Sequence, residues 1–141
     1  MRNRRFTIKG DYSGSHCFPS LNEYLAEMGR HPQAGARLKR IYENIAITAI
    51  QMQLRGYKAV KPVILHYRIY INCHGRRADH MNLAAFADKV IEDSLVKAKV
   101  LVDDNPKYVR NADFYFEYVD AKPSIEVEIE ETDEPLNGVL K

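Results

Sequence analysis

The stretch from Val63 to Asn72 constrains this chain more than any other. Val63, Leu65, Tyr67, Ile69 and Ile71 alternate with Ile64, His66, Arg68, Tyr70 and Asn72. That period of two predicts a strand with one strongly apolar face and one mixed face. A lone strand of this kind cannot bury its apolar side, so it requires paired neighbours and a covering layer.

The flanking segments predict both. Residues 5–9 read as a short strand, followed by a Gly/Ser-rich loop around Gly10 to Ser15. Ser20-Leu-Asn-Glu23 has the spacing of a capping box, in which serine and glutamate satisfy each other's backbone donors at a helix start. Gly29 and Pro32 end that helix, and Pro32 suits the first turn of a second one. From Ala34 to Arg55 the set Leu38, Ile41, Ile45, Thr48 and Met52 recurs at steps of three and four, which predicts a long helix with this stripe inward. Gly56 is its stop. A further long helix is expected from His80 or Met81 to Lys97, burying Leu83, Phe86 and Val90. Val100 to Val102 is a short apolar run that ends in the turn signal Asp103-Asp104-Asn105-Pro106. Residues 113–119 and 125–129 read as two strands joined as a hairpin through Ala121-Lys-Pro-Ser, with Glu126, Glu128 and Glu130 as its solvated face. The expected fold class is α+β: a small mixed β-sheet packed by two long helices, in a single domain over residues 1–131, with a flexible acidic tail over 132–141.

Composition narrows the function classes. No run of 18 apolar residues exists, so a membrane helix is not expected. Met1 to Ile8 lacks the apolar core of a secretory signal, and Cys17 and Cys73 are the only cysteines, so a reducing cytoplasm is the expected location. The formal charge of +2 conceals a division, because residues 1–77 hold 14 basic and 4 acidic side chains whereas residues 78–141 hold 7 and 15. Such polarity predicts an anionic partner for the first part and a carboxylate cluster in the second.

Two segments concentrate the chemistry. Arg76-Arg77-Ala78-Asp79-His80-Met81-Asn82 and Val100-Leu-Val-Asp103-Asp104 each put carboxylates at the edge of a regular element. Hard oxygen donors gathered from such places suit Mg²⁺, and adjacent arginines suit a phosphate. By themselves these acids read as caps and solvated groups before they read as metal ligands. Cys73, His74 and His80 lack the paired spacing of a zinc site. Cys17 beside His16 reads as a small semi-buried residue, and Tyr57, Tyr67 and Tyr70 read as core aromatics before base-stacking ones.

Several pieces in order nevertheless resemble the RusA family of Holliday-junction resolvases of phages and prophages. They are Phe18-Pro-Ser-Leu-Asn-Glu-Tyr24, Ala34-Gly-Ala-Arg-Leu-Lys-Arg40, the Pro62-Val63 strand, Arg76-Arg77, Asp79-His-Met-Asn82, Lys89, Asp93-Ser-Leu-Val-Lys-Ala98 and Asp103-Asp104. The resemblance implies a RusA-like fold and a homodimer that binds branched DNA, the four-way junction, and nicks it with Mg²⁺ in recombination and repair; a His80 nitrogen among the ligands would favour Mn²⁺. It implies Asp79, Asp104 and Lys89 as catalytic residues. Asp79, Asp104 and Asp103, with His80 as a further candidate, would be metal ligands. Arg76, Arg77, Asn82, Arg37, Lys39 and Arg40 would contact DNA. The family's Asp-x-Asp-Asn motif has its second aspartate replaced here by Met81, and a thioether cannot stand in for a carboxylate on Mg²⁺. That departure leaves open the alternative of an impaired homologue that binds branched DNA without cutting it.

Overall fold

The computed structural model describes residues 3–77 and 79–135, so the part of the expected tail beyond Pro135 lies outside the described residues. Four strands and three helices follow in the order β1 (Arg4–Lys9), α1 (Leu21–Arg30), α2 (Pro32–Leu54), β2 (Val63–Asn72), α3 (His80–Lys97), β3 (Val109–Val119) and β4 (Ser124–Glu131). The architecture is the expected mixed α+β one, with a third, shorter helix. Among the described residues no helix is long and apolar enough to cross a membrane.

Alternation in β2 does what its period demands. Val63, Leu65, Tyr67, Ile69 and Ile71 are buried, and their register partners Val127 and Ile129 of β4 are buried with them. The helices cover this face with Ala46, Ile50 and Leu54 from α2 and Phe86, Val90, Ile91 and Leu95 from α3. The other face stays open and carries cross-strand charges: Glu128 with Arg5 at 2.9 Å, and His66 between Asp113 at 2.7 Å and Glu130 at 2.8 Å.

Helix boundaries follow local chemistry. Ser20 and Glu23 form the reciprocal capping box, and Pro32 stands at the start of α2. Arg55 and Gly56 take positive φ at its end. Two expectations need correction. The buried side of α2 is Gly35, Tyr42, Glu43, Ala46, Ile50 and Leu54, while Ile41 and Met52 are 55% and 70% exposed. The buried side is rotated because α1 and α3 press against small residues there. A Cβ on Gly35 would meet Met28 Cγ at 2.3 Å, and the Tyr42 ring packs edge-on against Phe18 and Phe86.

The second correction is topological. Strand order is β1-β4-β2-β3, so β3 and β4 do not pair as a hairpin. β3 lies parallel to β2 on its outer side, and β4 runs antiparallel between β2 and β1. The connection carries the chain across the end of β2, where Asn72 Nδ2 donates to the Ala121 carbonyl at 2.8 Å and Gly10 N donates to Pro123. In this order β4 buries Ile125, Val127 and Ile129 at the centre of the sheet. Val100 and Leu101 are buried without forming a strand, tied by their amides to the Leu95 carbonyl.

Candidate active site

Helix α3 carries the predicted residues on its two ends. At the first turn Asp79 is the N-cap: its Oδ1 accepts from Met81 N at 2.9 Å and Asn82 N at 3.3 Å, satisfying donors that the helix cannot. Met81 is 59% exposed. His80 turns toward β3, where its ring stacks on Phe116 at 4.3 Å and its Nε2 meets the Tyr118 hydroxyl at 2.9 Å. Arg76 is held by α1, donating to Glu23 at 3.0 Å, while its amide and carbonyl engage Ser15 and the buried His16. Arg77 is exposed beside it.

The other end is crowded with carboxylates. Asp103 closes the turn after α3, accepting from Asp104 N at 2.8 Å and from Asn105 Nδ2 at 3.2 Å. The Asp104 side chain lies against those of Asp93 and Asp103, and desolvation together with these neighbours raises its pKa. Glu92 is pushed up to about 9, first by burial and then by its bond to Asp88 and the charges of Asp88, Asp104 and Asp93. Asp88 in turn accepts from the hydroxyl of the fully buried Tyr67 at 2.8 Å. One lysine enters this group. Lys39 on α2 bonds Asp93, with Glu43 at 3.8 Å, and Lys97 donates to Glu43 at 2.8 Å. Burial opposes the Lys39 charge, but the Asp93 and Glu43 carboxylates outweigh it and raise its pKa.

This geometry regroups the expected site residues. Asp103 and Asp104 are together, with Asp93, Glu92 and Asp88 added from α3. Asp79 is not with them: the step of 14 residues from Asp79 to Asp93 corresponds to about 21 Å of helix rise, too far for one ion in one chain to bind both Asp79 and Asp104. His80 faces β3 and not Asp79. Lys39 is committed to carboxylates rather than standing ready for a phosphate, while Arg37 and Arg40 remain exposed on α2. Lys89 is exposed one turn before Asp93, on the same side of α3. Asn82 is half-buried, its amide bound to the cap.

The C-terminal group holds several carboxylates, whereas the Asp79 end holds one, already bound to two backbone amides. Asp104, Asp93, Asp103 and Glu92 offer only hard oxygens, and the raised proton affinities of Asp104 and Glu92 record a shortage of positive charge around those two groups.

The chain matches no protein-family model and no curated protein.

Proposed function

We propose that this protein is a RusA-like, divalent-metal-dependent endonuclease that resolves four-way DNA junctions as a homodimer. The reading rests on the order of the motif segments from Phe18 to Asp104, and the observation that carries it is the carboxylate cluster around Asp104, with Lys89 one turn away on α3. Mg²⁺ held there would polarise a scissile phosphate and lower the pKa of a bound water. Asp104 and Asp93 are the residues that would hold it, with Asp103 fixing the turn and Glu92 able to release its proton as the ion binds. Lys89 would offset charge on the phosphate oxygens. Arg37, Arg40 and Arg77 would follow the backbone of the DNA, giving an affinity that falls steeply with salt.

A second reading is favoured by the Asp79 end. Its carboxylate caps a helix, Met81 supplies no hard donor, and the cluster at Asp104 is far along the helix. A chain with this end would bind branched DNA without cutting it.

The test is to incubate the protein with a synthetic four-way junction and with linear duplex, in Mg²⁺ and in Mn²⁺. Wild type is compared with Asp79→Asn, Asp104→Asn, Asp93→Asn and Met81→Asp. Symmetric junction cleavage that disappears in Asp104→Asn and Asp93→Asn is the expected result. Binding without cleavage, with activity appearing in Met81→Asp, establishes the second reading. No preference for the junction over duplex at any salt concentration overturns both. If Asp79→Asn is also inactive, mixing it with Asp104→Asn decides whether the two residues act from different copies: recovered cleavage means that they do.

A further inference from the structure

At the opposite end of the parallel pair β2 and β3, Cys73, His74 and Asp120 meet. The sequence separates the first two from the third by 46 residues, and only the parallel register places them side by side. One ligand atom from each lies within 4.8 Å of the other two, and His74 Nε2 stands 3.1 Å from Asp120 Oδ1. Tetrahedral zinc ligands sit about 3.3–3.8 Å apart, given bond lengths of about 2.0–2.3 Å. All three side chains are exposed, so small rotamer changes close the remaining gap without disturbing the core.

Backbone hydrogen bonds fix the positions from which these side chains depart. Cys73 N donates to the Val119 carbonyl at 2.8 Å, carrying the β2–β3 ladder one residue past the last strand pair, Asn72 with Val119. Asn72 braces both sides of the group: its Nδ2 donates to Ala121 and its Oδ1 accepts from His74 N, each at 2.8 Å. Asp120 is thus held between Val119 and Ala121, both bonded to the segment that bears the cysteine and histidine. Chelation would lose little further chain entropy here.

We infer that Cys73, His74 and Asp120 form a binding site for Zn²⁺, with water in the fourth position. The donor set decides the metal. One thiolate, one imidazole and one carboxylate suit a borderline ion, whereas Mg²⁺ prefers oxygens alone, as in the cluster at Asp104. The site is separate from the proposed cleavage chemistry and does not depend on it. Its effect on the fold would be to clip the turn after β2 to the turn after β3. Cys17 does not compete for the ion, because it is buried and its thiol is pushed up to about 12.

The test uses the full chain, stripped of metal and with its thiols reduced. Zn²⁺ is titrated against a chromophoric chelator, and Co²⁺ is added in parallel to read the thiolate-to-metal charge-transfer band. Expected are one equivalent of Zn²⁺, a cobalt–thiolate band, and affinity lowered about tenfold or more in each of Cys73→Ser, His74→Ala and Asp120→Asn. Asp104→Asn leaves the zinc affinity unchanged. Zinc binding that survives Cys73→Ser and His74→Ala at full strength, the absence of the cobalt–thiolate band, or the absence of a stoichiometric zinc complex each overturns the proposal.

Discussion

At the first turn of α3 a single carboxylate, Asp79, gives one oxygen to two backbone amides. Nearly four turns later Asp104 lies against Asp93 and Asp103, Glu92 against Asp88, and Lys39 bonds Asp93 from the neighbouring helix. One end of the helix has donors in excess of acceptors and gains from an acid. The other has acids in excess of cations, and the proton affinities of Glu92 and Asp104 are raised there. The comparison teaches that an aspartate at an element edge is not by itself a sign of chemistry. What distinguishes the two ends is whether the surrounding groups leave the carboxylates satisfied.

The largest effect expected from this difference is at Lys39. Replacing it by methionine leaves Asp93 without its bonded cation and Glu43, which is 5% exposed with an Oε2 lacking any hydrogen bond among the described residues, with Lys97 alone. Breaking a largely buried ion pair from one side is costly, and Lys39→Met should lower unfolding free energy by roughly 2–3 kcal/mol in urea titrations at pH 7. Adding Asp93→Asn should recover part of the loss by removing the stranded charge. A loss under about 0.5 kcal/mol, the range of an ordinary surface change, would mean that the C-terminal end is no more strained than the other.

The N-terminal end should respond as a cap does. Asp79→Ala is expected to cost about 1 kcal/mol, and Asp79→Asn much less, because asparagine also accepts from the amides of the first turn. The same urea titrations measure both. An Asp79→Ala variant as stable as wild type would show that the carboxylate is not needed at this end, and the contrast between the ends would disappear.

How much of this was legible in the sequence depended on whether the controlling contacts were local. β2, the capping box, Pro32 at the start of α2 and the span of α3 were all readable, because period and caps act within a few residues. The inward side of α2 was not, since Gly35, Ala46, Tyr42 and Glu43 owe their burial to neighbouring helices and not to hydrophobicity. The hairpin expectation followed adjacency, while the real order lets β4 bury Ile125, Val127 and Ile129 centrally. Within the candidate site, Asp103 and Asp104 stood out at a turn. Asp88 and Glu92 did not, although like charges four apart on a helix are unfavourable and could have flagged them. The union of Cys73 and His74 with Asp120 is purely a product of the parallel register.

The smallest effect expected is also the most diagnostic of crowding. Glu92 takes a proton near pH 9 in the fold against an ordinary value of 4.5, so between those values the folded chain binds more protons than the unfolded one. Stability therefore falls as pH rises through this window and levels off above it. Asp104, also raised, contributes with the same sign. The slope should lie well below the limit of about 1.4 kcal/mol per pH unit for one full proton, because Glu92 keeps contact with water that screens its neighbours. Urea unfolding between pH 5 and 9 should show the decline in wild type and a flatter profile in Glu92→Gln, which stays neutral throughout. Millimolar Mg²⁺ should flatten the wild-type profile as well, since an ion bound by the ionised carboxylates stabilises the folded state most where they have lost their protons. Asp79→Asn, changed at the satisfied end, should retain the wild-type slope. If it loses the slope and Glu92→Gln keeps it, the contrast between the two ends of α3 is reversed.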